Sequence, residues 1–266
     1  MGDDTRDDEQ PLPGGASNYG QVVRIGDTVR RPLREYSPAV HTLLRHLEAV
    51  GFTGAPRLLD IDEQGREVLT YIEGVVPLFP PPAWSRAPAV AQGVARLVAE
   101  YHEAVRSFAP PADAPWNSHV LPGFADSPLI CHNDLVRSNV VFRDGRAVAL
   151  IDFDRAAPAR PEWEIGLAVQ QWIPLRGEED PPETAGPRTA ARIRAFCDAY
   201  GLAPEIRPRV LDVVLASEAA GYEELRRHVD AGDPAYVELW NGGAAERIEQ
   251  RRHWLAKHHD MLLDAL

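Results

Sequence analysis

Residues 140–154 read VVFRDGRAVALIDFD: two apolar runs of strand composition around Asp144-Gly145, a dipeptide strongly favoured in two-residue hairpin turns. A tight hairpin brings the chain back to where it started, so residues just before the first strand and just after the second become neighbours. Asn139 stands before the first strand and Asp152 at the end of the second. An amide and a carboxylate are therefore expected side by side at one end of a ribbon. Immediately upstream, ICHNDLVRSN (130–139) adds His132 and Asp134. Aspartate and asparagine often stabilise turns, which would account for Asp134 and Asn139 but not for Asp152.

These residue types have a shared chemistry. Two oxygen ligands on adjacent strand ends suit Mg²⁺, which takes few protein ligands and leaves the rest of its shell to phosphate and water. Asn139 and Asp152 are the candidate metal ligands. Asp134, one loop-length away, is placed to accept or orient a hydroxyl proton. His132 is read as fixing the loop through hydrogen bonds. Asp154 has two readings, assisting the metal or holding a local turn.

The rest of the chain arranges itself around this segment. Residues 1–10 form a charge-rich tail, and 11–73 hold short strands and one helix. QVVRI, Gly26-Asp27 and TVRR predict a hairpin; RLLDID and EVLTYI (57–62 and 67–72) predict another around Gln64-Gly65. Between them Val40, Leu43, Leu44, Leu47 and Val50 recur at helical spacing, with Ser37 and Pro38 at the start and Gly51 beyond the end. A proline-rich stretch, EGVVPLFPPPAWSRAP, opens a second region, 74–266. There helices are predicted over about 88–108, 162–173, 188–200, 206–230, 234–242 and 244–265. The expected class is α+β: a small antiparallel-sheet lobe followed by a larger, mostly helical one.

Composition narrows the partners. With 28 Lys plus Arg against 40 Asp plus Glu, the formal charge of −12 argues against nucleic acid or an anionic membrane and permits a cationic substrate. The apolar runs are too short for a membrane span and the acidic start is unlike a signal peptide, so a cytoplasmic location is expected. Cys131 and Cys197 suit a reducing compartment. His253, His258 and His259 are five and six apart, which does not place metal ligands on one helix face, and they read as surface residues. Lys257, near the end, is the only lysine.

The segment H-x-D-x4-N followed by I-D-F resembles the catalytic loop and metal-binding Asp-Phe of the protein-kinase superfamily. It is most similar to the aminoglycoside phosphotransferase family, which includes choline, homoserine and macrolide kinases. The resemblance implies a two-lobed kinase-like fold and transfer of a γ-phosphate from ATP or GTP to a hydroxyl of a small molecule. It implies Asp134 as catalytic base, with Asn139 and Asp152 holding Mg²⁺ on the nucleotide. Gly15, Ser17 and Asn18 are the candidate phosphate loop, and backbone groups near Tyr71 and Ile72 the candidate adenine edge.

The chain departs from the family in its nucleotide clamp. No lysine lies near the third strand, and the following helix has no glutamate where the family's ion pair would need one. With Gly26-Asp27 as the turn, Val23 opposes Arg30 and Ile25 opposes Thr28, which puts Arg30 in the lysine's place; the alternative is an exposed strand arginine. Glu162 and Glu164 stand where relatives carry acids that support the catalytic loop, or else they favour a helix start. Two functions follow: a small-molecule kinase, or a kinase-like binder without turnover. A metal-dependent hydrolase ranks third, for want of clustered ligands.

Overall fold

The computed structural model describes residues 9–12, 21–78, 80–175 and 182–266. It divides into two compact units: residues 1–80 with 100–159, and residues 81–99 with 160–266. The first unit contains the central motif as well as the N-terminal sheet.

That sheet is antiparallel, with strands β1 (Gln10–Pro11), β2 (Val23–Ile25), β3 (Thr28–Pro32), β4 (Leu58–Ile61) and β5 (Arg66–Thr70) in the order β1-β2-β3-β5-β4. The first hairpin has the expected register, Val23 opposite Arg30 and Ile25 opposite Thr28, with Gly26 at φ +57°. The second turns at Asp62, whose Oδ1 accepts from the amides of Gln64 and Arg66, with Gly65 at φ +72°. Between the hairpins lies α1 (Ser37–Ala49). Ser37 is its first helical residue rather than its cap: Tyr36 takes the cap position, and Ser37 Oγ accepts from the Arg34 amide at 2.9 Å. At the other end Gly51, at φ +79°, lets the Gly51 and Phe52 amides return to the carbonyls of Glu48 and Leu47. Val40, Leu43, Leu44 and Leu47 are buried, each contributing about 1.5–3 kcal/mol of burial free energy.

The remainder of this unit is built on two short ribbons. β7 (Val140–Arg143) and β8 (Arg146–Leu150) form the expected hairpin, and Asp144 and Gly145, at φ +51° and +75°, give the turn the positive angles a two-residue loop needs. β6 (Ile130–Cys131) pairs with β9 (Ala157–Pro158), clamping the motif loop at both ends. Val75 pairs with Phe142, and Gly74 at φ +153° permits the approach: a Cβ there would lie 2.6 Å from the Phe142 carbonyl oxygen. The last turns of α2 (Pro88–Val105) buttress the loop, Tyr101 donating to the Ile130 carbonyl at 2.9 Å.

The second unit is helical: the start of α2, then α3 (Pro161–Trp172), α4 (Pro182–Tyr200), α5 (Pro208–Asp230), α6 (Pro234–Asn241) and α7 (Ala244–Asp264). Apolar faces pack α3 on α5, closest at Gly166, where a Cβ would lie 2.4 Å from Val213 Cγ1. Glu218, fully buried on α5, is satisfied by Gln170 at 2.7 Å and by two nitrogens of Arg251 at 2.6 and 2.9 Å. No described helix is long and apolar enough to cross a membrane.

Candidate active site

The β7–β8 ribbon does what its sequence requires. Val140 opposes Leu150, and the Ile151 amide donates to the Asn139 carbonyl at 2.9 Å, so Asp152 emerges beside Asn139. Asp152 then takes φ +64°, ψ +68°, an angle pair unusual outside glycine and tolerated by aspartate, which turns the chain sharply away from the strand. Asn139 Nδ2 donates at 3.0 Å to both the Asp134 carbonyl and Asp134 Oδ2. One amide therefore orients the carboxylate that precedes it by five residues.

His132 is fully buried and its role is positional. Its Nδ1 accepts from the Asp134 amide at 3.3 Å, so Nε2 carries the proton and donates to the Ile151 carbonyl at 3.0 Å. The ring ties the Asp134 loop to the strand end that presents Asp152. Asn133, at φ +62°, adds a second tie through Nδ2 to the carbonyls of Arg155 and Ala157.

The cation expected at Arg30 is found one residue later. Arg30 points away, to Thr28 Oγ1 and to Asp62 at 3.7 Å. Side chains alternate along a strand, and it is Val29 and Arg31 that face the cavity below. Arg31 is buried and opposes Glu67 directly across β3 and β5. Its Nε binds Glu67 Oε1, its Nη1 binds Asp152 Oδ1 at 3.0 Å, and its Nη2 binds Asp154 Oδ1. Burial alone would lower its pKa, but Asp154, Glu67 and Asp152 outweigh that and hold the guanidinium firmly charged. Glu67 stands on β5, and α1 contributes His41, whose Nε2 lies 2.6 Å from Glu67 Oε2. Asp154 also accepts from the Tyr36 hydroxyl at 3.0 Å. Burial, together with the Asp154 carboxylate, pushes that phenol up to about 12.

Next to these groups is a cavity of about 390 Å³. Val22, Val29, Leu69, Val76 and Val141 give it apolar walls, and Arg31, Ser138, Asn139 and Asp152 a polar end. Tyr71 and Ile72 also line it. The Tyr71 amide is already bonded to the Asp27 carbonyl at 2.8 Å, and its ring carries the Arg24 guanidinium 3.7 Å from its centroid. Gly15, Ser17 and Asn18 lie outside the described residues. The acids at 162 and 164 are buried in the first turn of α3, with Glu162 engaged by Arg209 at 3.2 Å.

Do these donors fit Mg²⁺? Asn139 uses its nitrogen on Asp134, its Oδ1 accepts from the Ser138 hydroxyl at 3.5 Å and has a lone pair left for a cation, and only Oδ1 of Asp152 has a protein partner among the described residues. The charge also fits. Carboxylates are in surplus here: Glu67, Asp152 and Asp154 all converge on the one guanidinium of Arg31. That surplus shows in Asp152, whose pKa is raised by burial and by Asp154 despite Arg31. Hard oxygen donors among clustered carboxylates match a small divalent cation.

The family model of the phosphotransferase enzyme family matches residues 114–210, the segment holding all three motif residues. Over its whole length the chain is 30% identical to the trifolitoxin immunity protein of Rhizobium leguminosarum bv. trifolii, covering 97% of this chain and 99% of that one. The chain belongs to the aminoglycoside phosphotransferase family. Solved structures of similar fold include a choline/ethanolamine kinase family protein from Mesorhizobium loti (TM-score 0.61, 15% identity, 91% of this chain and 88% of that one). Another is aminoglycoside 2′-phosphotransferase-IIIa in its GDP complex (TM-score 0.59, 16% identity, 94% and 92%). The fold is thus the α+β, two-lobed protein-kinase-like one. Within this family frame Arg31, Glu67 and His41 are the residues that sequence reasoning missed. A signal for Arg31 was present: Val29 is the one apolar residue inside TVRR, and Arg31 shares its face.

Proposed function

We propose that this chain binds a magnesium nucleoside triphosphate with its base in the apolar part of the 390 Å³ cavity and its phosphates at Arg31, Asn139 and Asp152. It then transfers the γ-phosphoryl group to a hydroxyl of a small molecule. The observation that carries this reading is the convergence of Asn139, Asp152 and the buried Arg31 at one cavity end, with Asp134 hydrogen-bonded to Asn139.

Asp134, aimed by Asn139, orients the acceptor hydroxyl and takes its proton as the oxygen attacks the γ-phosphorus. The new P–O bond forms as the bond to the β-phosphate oxygen breaks, and that oxygen leaves with the bonding pair on the diphosphate. Arg31 places a fixed positive charge beside the phosphates, and His132 keeps the two halves of the site in register. Mg²⁺, held by Asn139 Oδ1 and Asp152, would supply charge neutralisation at the bridging phosphate oxygens when bound. The GDP complex of a relative supports a purine nucleotide and leaves ATP and GTP both as donors.

The full-length relative favours a second reading. It is named for immunity to a toxin, so this chain would protect against a toxin, either by phosphorylating it or by binding it without turnover. One experiment separates these. Wild type and Asp134→Asn are assayed for nucleotide binding and for ADP release against a panel of hydroxylated amines and peptides. The kinase reading expects acceptor-dependent release that falls roughly 10²–10⁴-fold in the variant, with binding retained. Binding in both without turnover on any acceptor supports the binder, and equal turnover in both removes Asp134 as base.

A further inference from the structure

We propose that Glu67 and His41 are the positioning residues that aim Arg31 at the phosphates, replacing a lysine–glutamate pair between strand and helix by a strand–strand pair with a histidine tether. This rests on the nucleotide reading of the cavity. Glu67 is the more deeply buried partner, its side chain 1% exposed, and both of its oxygens are occupied. Oε1 takes Arg31 Nε and Oε2 takes His41 Nε2. An acid buried this far and anchored at both ends has little freedom, so the guanidinium plane it holds is fixed too.

The choice of arginine follows from where the acid stands. A guanidinium has five N–H groups on three nitrogens, and one N–H from each nitrogen is used here, on Glu67, Asp152 and Asp154. One N–H remains on each terminal nitrogen, and Arg31 lines the cavity. Phosphate oxygens can therefore be bound without releasing Glu67. An ammonium has a single nitrogen and no second end to offer. Carrying the acid on β5, directly opposite residue 31, makes Nε the anchor and leaves the fork for the ligand.

The test compares a ligand with phosphates to one without. ADP with magnesium and adenosine alone are titrated into wild type, Glu67→Gln and His41→Ala. Loss of aim should weaken ADP roughly tenfold in Glu67→Gln and several-fold in His41→Ala, the scale of one charge-assisted hydrogen bond. Adenosine should bind all three within about twofold, whereas a general loss of structure would weaken both ligands alike. Unchanged ADP affinity, or equal loss for ADP and adenosine, overturns the positioning role while leaving the nucleotide reading intact. Wild type binding neither ligand overturns both. Should Glu67→Gln not fold, His41→Ala decides on the same criteria.

Discussion

Replacing Arg31 by lysine keeps the charge and removes the fork, which makes it an informative change. At an effective dielectric constant of 20, one positive charge about 5 Å from each acid still earns about 3 kcal/mol per pair, and lysine keeps most of that. What it loses is direction. Three nitrogens now serve Glu67, Asp152 and Asp154, and one ammonium can hold one of these well. Two hydrogen bonds to charged partners go, each about 1.5–3 kcal/mol, and the retained attraction returns part. A net loss of about 2–4 kcal/mol is expected. At roughly 2–4 °C per kcal/mol for a chain of this size, the melting temperature should drop by roughly 5–15 °C. Arg31→Met, which leaves three acids facing one another, should fall further, since breaking a buried pair costs about 3–5 kcal/mol. Differential scanning calorimetry at neutral pH reads both. A lysine variant that melts within about 2 °C of wild type would refute the reasoning, because charge alone would then account for the site.

Two other predictions concern buried packing. Gly166→Ala should gain about 1 kcal/mol of helix propensity but place a methyl 2.4 Å from Val213 Cγ1 and 3.2 Å from the Val210 carbonyl. Overpacking at about 1–3 kcal/mol should win, lowering the urea midpoint, and adding Val213→Ala should restore part of it. Cys131 and Cys197 are buried, and burial pushes the Cys197 thiol up to about 11. A raised thiol pKa favours the protonated folded form, so this contribution to stability is full below about pH 8.5 and declines as pH rises towards 11. At pH 8 a thiol-reactive disulfide dye should label neither cysteine in the folded chain and both in denaturant; rapid native labelling would contradict the burial.

The parts of the site that could be read in advance were the local ones. Asp144-Gly145 between two apolar runs fixes a two-residue turn that returns the chain towards Asn139, and a one-residue register shift between Val141 and Phe142 completes the pairing that leaves Asp152 beside Asn139. The register of the first hairpin followed in the same way from Gly26-Asp27. Hairpin register and the family's strand pattern point to Arg30, whereas the face shared by Val29 and Arg31 is the one that lines the cavity. The face of a strand is a stronger physical constraint than the spacing of a pattern, because a shift of one residue exchanges buried for exposed.

Glu67 illustrates what could not be read. The family pattern places such an acid on the helix after the third strand. It lies instead on β5, which pairs with β3 although β4 lies between them in sequence.

Turns, helix faces and the pairing of consecutive strands were determined by the sequence itself, since each depends on the backbone preferences and side-chain period of a few adjacent residues. The partner of Arg31 was decided only by the order β3-β5-β4, which sets residues 31 and 67 opposite each other. Pairing over that separation depends on how the whole sheet buries its apolar face, and no short stretch of sequence contains that information.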